Sequence, residues 1–246
     1  MSYQRGEIRE LLERIATRHE DHKGDEASCF LFKSVVVLDR HSPGRPRLDM
    51  ERRTNIAAQL GANITKILEQ DGQYTVMERA PGQPMLDVMK RNANYLPLYK
   101  AVADAPQAQC HAIIHDIVIM LIAGLNIESA PQNILYSSKK GFSIVDLSGR
   151  GEIPTPETFR RVAENFCSCV LDPIKFSKDI PNEIKINAIH KFTRAMEEHL
   201  SENKLNKYCE CARVINTAIR HPGRIRTAID FVKKSLDDSR QIGRGR

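Results

Sequence analysis

The most continuous apolar stretch of the chain is IIHDIVIMLIAGL at residues 113–125, broken only by His115 and Asp116. With PQAQCHA before it, the spacing predicts a helix that stops at Gly124, apolar on nearly every side and therefore buried. Its uninterrupted part is about half the length a membrane-spanning helix needs. Directly after it comes NIESAPQNILYSSKKGFSIVDLS, a polar loop followed by two apolar runs around a turn at residues 139–141, the pattern of a β-hairpin. Towards the N-terminus the pattern changes. A charged amphipathic segment up to Asp25 predicts a helix and a loop. SCFLFKSVVVLDR predicts one bent strand or two short ones, and HSPGRPR a loop. LDMERRTNIAAQLG predicts a helix capped by Gly61, and ITKILEQDGQYTVMER a strand, an Asp-Gly turn and a strand. MLDVMKRN after the APGQP break is read as helical. Beyond Pro154 the apolar spacing predicts several helices, with Pro154, Pro156, Pro173, Pro181 and Pro222 between them or at their starts.

These elements give an α+β chain in two lobes. Residues 1–80 form a small β-rich N-lobe with a helix, and residues 81–246 a helical C-lobe carrying the hairpin, the boundary falling at APGQP. Composition changes this little: 41% apolar residues over 246 is ordinary for a globular protein that needs no disulfides. The N-terminus has no apolar signal-peptide core, so the expected location is the cytoplasm.

Charge adds one feature. The formal net charge is +6, and most of it lies in residues 220–246, where eight Lys/Arg meet three Asp. Such a segment could meet nucleic acid, anionic lipid or an acidic protein. Only Phe231 interleaves with the charges, so a single-strand-binding platform is poorly supported. The six cysteines include two Cys-x-Cys pairs, Cys167/Cys169 and Cys209/Cys211, with Cys29 and Cys110 alone. Helical positions i and i+2 face different ways, so the pairs are expected to be free thiols in a reducing compartment, with zinc and disulfide as lesser alternatives. His111 and His115, four apart on the apolar helix, offer two metal ligands with no third apparent in the sequence.

The chemistry concentrates in the polar loop and the hairpin. Closing the hairpin brings Asn133 towards Asp146, and an amide oxygen beside a carboxylate suits magnesium carrying phosphate oxygens. Glu128 stands near that pair as a second carboxylate. Metal ligands plus an acceptor for a nucleophilic hydroxyl are the parts phosphoryl transfer needs.

NIESAPQNIL resembles the catalytic loop His-Arg-Asp-Leu-x-x-x-x-Asn of the protein-kinase superfamily without a gap. Asn126 stands at the His position, Glu128 at the Asp, and Asn133 at the metal-binding Asn. IVDLS is similar to the strand leading into Asp-Phe-Gly, which puts Asp146 at the second metal ligand. YTVMERAPGQPM resembles the fifth strand and hinge, with Met77 as gatekeeper and Glu78 and Ala80 as hinge residues whose backbone faces adenine. In FLFK, Lys33 takes the place of the strand-three lysine and Glu51 that of its helix partner, with Arg40 the alternative to Lys33. The glycine-rich loop is missing, since KGDEAS keeps Gly24 but has Glu26 and Cys29 near glycine positions. No Ala-Pro-Glu follows DLSGRG, so the activation segment is very short.

In these departures the chain resembles the minimal OspG/NleH-like kinases that bacterial secretion systems deliver into host cells. The resemblance implies a two-lobed kinase-like fold, ATP and magnesium as cofactors, and phosphoryl transfer to Ser or Thr of a protein, a host protein in the cytosol of a host cell. Asn133 and Asp146 would hold metal, Lys33 with Glu51 the phosphates, and Glu128 the acceptor hydroxyl. Because Glu128 is one methylene longer than aspartate, a nucleotide-binding pseudokinase is the alternative, as is a small-molecule phosphotransferase of aminoglycoside type.

Overall fold

The computed structural model describes residues 5–17, 19–20, 22–23, 27–40, 48–70, 73–86, 94–149 and 153–242. Gly24, Glu26, the loop at 41–47, the Asp71-Gly72 turn, residues 150–152 and the last four residues lie outside them, as does the side chain of Arg40. The fold is α+β, with a β-rich N-terminal unit and a helical C-terminal one. Contacts divide the chain into Met1–Glu51 with Thr65–Ala80, and Arg52–Ile64 with Pro81–Arg246.

The first unit begins with α1 (Arg5–Ile15), followed by β1 (His22–Lys23), β2 (Ala27–Leu31), β3 (Val35–Arg40), the first turn of α2 (Leu48–Gln59), β4 (Ile67–Gln70) and β5 (Tyr74–Glu78). The strands form one antiparallel sheet in the order β1-β2-β3-β5-β4. Val35 and Val37 are fully buried while Val36 and Leu38 are half-buried, the two-residue alternation of a strand with one covered face. Val37 sits opposite Phe30 on one side and Val76 on the other. Leu11 and Ile15 of α1 join the same cluster with Phe32. The Arg14 guanidinium lies 5.3 Å from the centre of the Phe32 ring, a cation–π contact at the rim of that core.

Residues 52–64, which the sequence pattern assigns to the N-lobe, cluster with the second unit, and buried polar bonds explain why. Arg53, 2% exposed, donates to the carbonyl of Ala123 at 3.1 Å and to Asn216 Oδ1 at 3.5 Å. Arg52 donates to the Ile219 carbonyl at 3.0 Å. Both guanidiniums thus sit at helix C-termini, where unpaired carbonyls favour cations. Asp116, also buried, accepts from the amide of Asn63 at 3.2 Å. The α2 helix ends as its sequence predicts: Gly61 has φ 101°, and its amide and that of Ala62 bond back to Ala58 and Ala57.

The second unit continues with β6 (Gln83–Pro84), α3 (Leu96–Ala103), α4 (Gln107–Ile122), β7 (Leu125–Ile127), a 3-10 turn (Pro131–Asn133), β8 (Ile134–Ser137), β9 (Gly141–Ile144) and β10 (Leu147–Gly149). Four helices close it: α5 (Pro156–Phe176), α6 (Asn182–His199), α7 (Glu202–Ile219) and α8 (Ile225–Ile242), with a 3-10 turn at Pro222–Arg224 before the last. As its pattern predicts, α4 is the core helix, buried continuously from Asp116 to Ile122. Among the described residues no single helix is long and apolar enough to cross a membrane.

Several expectations are corrected here. Met85 and Leu86 are not helical, and the rest of the MLDVMKRN segment lies outside the described residues. Pro173 lies inside α5 rather than at a boundary. Its missing N–H deprives the Cys169 carbonyl of a helical partner, at a cost of about 3 kcal/mol. Burial of Val170, Leu171 and Ile174 on either side offsets that cost and carries the helix through. β6, β7 and β10 are strands where the pattern suggests loop or break. At two or three residues each they are too short to show alternation, and they exist because a partner strand lies alongside.

Candidate active site

The loop between α4 and α5 is shaped by two antiparallel ladders. β8 and β9 form the expected hairpin, pairing Ile134 with Ile144 and Ser137 with Gly141. Gly141 has φ 78°, a conformation that side chains with a Cβ rarely adopt, and it opens the return strand after the Ser138–Lys140 turn. Phe142 anchors the hairpin, its ring 5.9 Å from Phe166 of α5 and 5.7 Å from Phe192 of α6. The second ladder pairs β7 with β10, Ile127 opposite Leu147 and Leu125 opposite Gly149. Glu128 and Asp146 are the next residues beyond the Ile127–Leu147 end of that ladder.

Asn133 lies at the crossing of the two ladders. Its amide nitrogen donates to Asp146 Oδ2 at 3.3 Å and to the Glu128 carbonyl at 3.4 Å. Its backbone carbonyl accepts from Val145 at 3.0 Å, and its N–H bonds to Ala130, whose own N–H bonds to Glu128. The loop from 128 to 133 is thus held by short-range bonds at both ends. With the amide nitrogen so occupied, the Asn133 Oδ1 and the exposed Asp146 carboxylate remain as oxygen donors. Two oxygen donors, one of them charged, fit a hard divalent cation that keeps other oxygen ligands. Glu128 is exposed beside them.

One further support is not visible in the sequence. The Cys169 thiol of α5 donates to the Ser129 carbonyl at 3.0 Å, fixing the backbone next to Glu128. Burial, then the Asp172 carboxylate, push this thiol's pKa up, so it stays protonated and remains a donor. Its neighbour Cys167 turns the other way, to Met196 Sδ at 3.4 Å on α6. All six cysteines are free, as expected, and each Cys-x-Cys pair is divided by the helical i, i+2 geometry. The Ser129 hydroxyl is buried without a hydrogen-bond partner.

In the first unit the expected site residues are less well assembled. The sequence reading sets Lys33 on the third strand, whereas Lys33 lies in the turn before it and is exposed. The bond from Phe32 N–H to the Val35 carbonyl closes that turn, and the register pairing Leu31 with Val36 leaves Lys33 no place in the ladder. No ion pair joins Lys33 to Glu51, an exposed residue of α2. The cation engaged with the turn is Arg79, which donates to the Phe32 carbonyl at 2.9 Å. Met77 and Glu78 end β5 half-buried, with the Glu78 amide bonded to Lys66 and that of Arg79 to Ser34. Ala80 lies past the strand, and its amide donates to no backbone acceptor among the described residues.

No protein-family model matches the chain, and no curated protein matches it. Among solved structures it is similar to the aminoglycoside phosphotransferase APH(2'')-Ib with ADP bound, at 13% identity and a TM-score of 0.35 over 94% of this chain and 98% of that one. The streptomycin-ATP-APH(2")-IIa ternary complex is similar at 14% identity and 0.36, over 98% and 97%. The Rio2 kinase-ADP/Mg2+-phosphoaspartate complex from Chaetomium thermophilum is similar at 12% and 0.41, over 95% and 75%. Likeness of this degree carries no argument about what the chain does.

Proposed function

We propose that this chain is a phosphotransferase of protein-kinase type that uses ATP and magnesium to phosphorylate Ser or Thr of a protein. The observation that carries this reading is the Asn133–Asp146 contact at 3.3 Å, with the Glu128 carbonyl accepting from the same amide at 3.4 Å. Asn133 and Asp146 are the residues that would hold magnesium, which when bound draws charge from phosphate oxygens. Glu128 orients the acceptor hydroxyl and takes its proton as the bond from the γ-phosphorus to ADP breaks and the new P–O bond forms. The free amide of Ala80 suits an adenine edge. The phosphate-holding cation stands open between Lys33 and Arg40, the former unpaired with Glu51.

A second reading has one specific observation behind it. Only six residues separate Gly149 from Pro156, where α5 begins, which leaves little chain for docking a peptide. A small alcohol as acceptor needs no such segment.

The test is transfer from radiolabelled ATP with magnesium, to a eukaryotic lysate in one arm and to aminoglycosides in the other. Labelled protein that falls by about 10²–10³-fold in Asp146→Ala supports the kinase reading. Label in the small molecule alone moves the acceptor to the second reading, and undiminished transfer by Asp146→Ala sinks both. Glu128→Asp should stay within about tenfold of the parent. A rise of about 10²-fold, the scale of a 1 Å correction, would instead mark the native chain as a binding module with an attenuated base.

A further inference from the structure

The tertiary fold does not complete the pair of His111 and His115 on α4, but it sets two other ligands against His111. The C-terminus of α6 sets Glu198 and His199 against His111, so that one ligand atom from each of the three lies within 4.8 Å of the others. His111 Nδ1 and Glu198 Oε2 are already 3.4 Å apart. Tetrahedral zinc with bonds of 2.0–2.1 Å places its ligand atoms about 3.3 Å from one another. The same geometry puts two ligating imidazole rings about 5.2 Å apart, centre to centre. The His111 and His199 rings are 5.7 Å apart and inclined at 60°. Side-chain rotation alone can close the remaining gap, since the His111 and Glu198 side chains are 20% and 58% exposed.

The surroundings favour a cation. Glu198 brings a carboxylate, and the end of α6 presents helix carbonyls whose partial charge is negative, that of Glu198 already accepting from the Lys204 ammonium. The platform is firm, because the opposite face of α4, with Ile113 and Met120, is buried core. His115, one turn on, flanks the cluster with its ring 5.8 Å from that of His199.

We propose that His111, Glu198 and His199 form a binding site for a divalent transition metal of the zinc class, joining α4 to the end of α6. Two imidazoles and one carboxylate are a borderline donor set that suits zinc, in contrast to the all-oxygen pair Asn133 and Asp146. Three protein ligands leave the fourth tetrahedral position to solvent. The site stands on helices outside the catalytic loop and does not depend on the phosphotransferase reading.

The experiment is titration of the chelator-stripped full chain with Zn²⁺, followed by calorimetry, and with Co²⁺, followed by absorbance. One equivalent of Zn²⁺ is expected, with Co²⁺ giving ligand-field bands and no thiolate charge-transfer band. His111→Ala, His199→Ala and Glu198→Gln should each weaken binding by at least about tenfold, since even outer partners of a metal ligand are worth that much. Should either alanine variant fail to fold by circular dichroism, Glu198→Gln decides, because that side chain is largely in solvent. Absence of a Zn²⁺ equivalent, a thiolate band pointing to cysteine, or unchanged affinity in a folded Glu198→Gln would each overturn the site.

Discussion

Cys169 shows how much a single side chain can carry here. Its thiol is a neutral donor to the loop beside Glu128, which requires that it keep its proton. The same holds more strongly deeper in the protein, where burial pushes the Cys167 thiol from the ordinary 9.0 up to about 12, and those of Cys110 and Cys211 up to about 11. The folded state therefore binds these protons more tightly than the unfolded one. Their stability contribution is fully present below about pH 9 and is lost as pH rises from there towards the folded values. Each such thiol should add about 1.4 kcal/mol of lost stability per pH unit in that window. Urea unfolding at a series of pH values checks this, and an unfolding midpoint that stays level above pH 9 would contradict it. Of the proposed site residues, Asn133, Asp146 and Glu128 were legible in the sequence because they lie within one short loop and its hairpin. Cys169 and Arg53 were not, because their partners are backbone carbonyls far along the chain, which leave no trace in residue type or spacing.

Among the elements, β6 depends most on one position. Gly82 has φ 117°, and a Cβ there would stand 2.6 Å from the Tyr136 carbonyl oxygen and 2.7 Å from its carbon. That approach lets Gln83 and Pro84 pair with Tyr136 and Leu135 of the hairpin. The obstacle is backbone, which cannot swing away as a side chain can. Gly82→Ala should therefore destabilise the protein by about 2 kcal/mol or more, from strain in a left-handed conformation added to overpacking. Chemical denaturation measures it, and a change under about 0.5 kcal/mol would show that the β6–β8 pairing is dispensable. From the sequence Gly82 reads only as part of a break, since a glycine required by a neighbouring backbone looks the same as one in a free loop. The long helices and the β8–β9 hairpin are the opposite case, with enough residues for their periodicity to declare them.

At the scale of the whole molecule the proposed function predicts that nucleotide binding is linked to folding. A ligand at a hundred times its Kd adds about 2.7 kcal/mol to stability, and a chain of this size gains about 2–4 °C in Tm per kcal/mol. Magnesium with ATP should raise the melting temperature accordingly, ATP with a chelator should raise it less, and Asp146→Ala should remove the difference. Equal shifts in all three arms would separate Asp146 from metal binding. By itself the sequence determined the α+β division, the buried α4, the hairpin and the spacing of Asn133 and Asp146, because each follows from apolar periodicity or from contact within a few residues. Only the tertiary structure decided that α2 from Arg52 onward belongs with the helical unit, that β7 pairs with β10 beside the loop carrying Glu128, that Lys33 falls in a turn, and that Glu198 and His199 join His111 in one cluster. Those outcomes rest on hydrogen bonds and packing between residues distant in sequence, and their partners are chosen only once the chain has closed on itself.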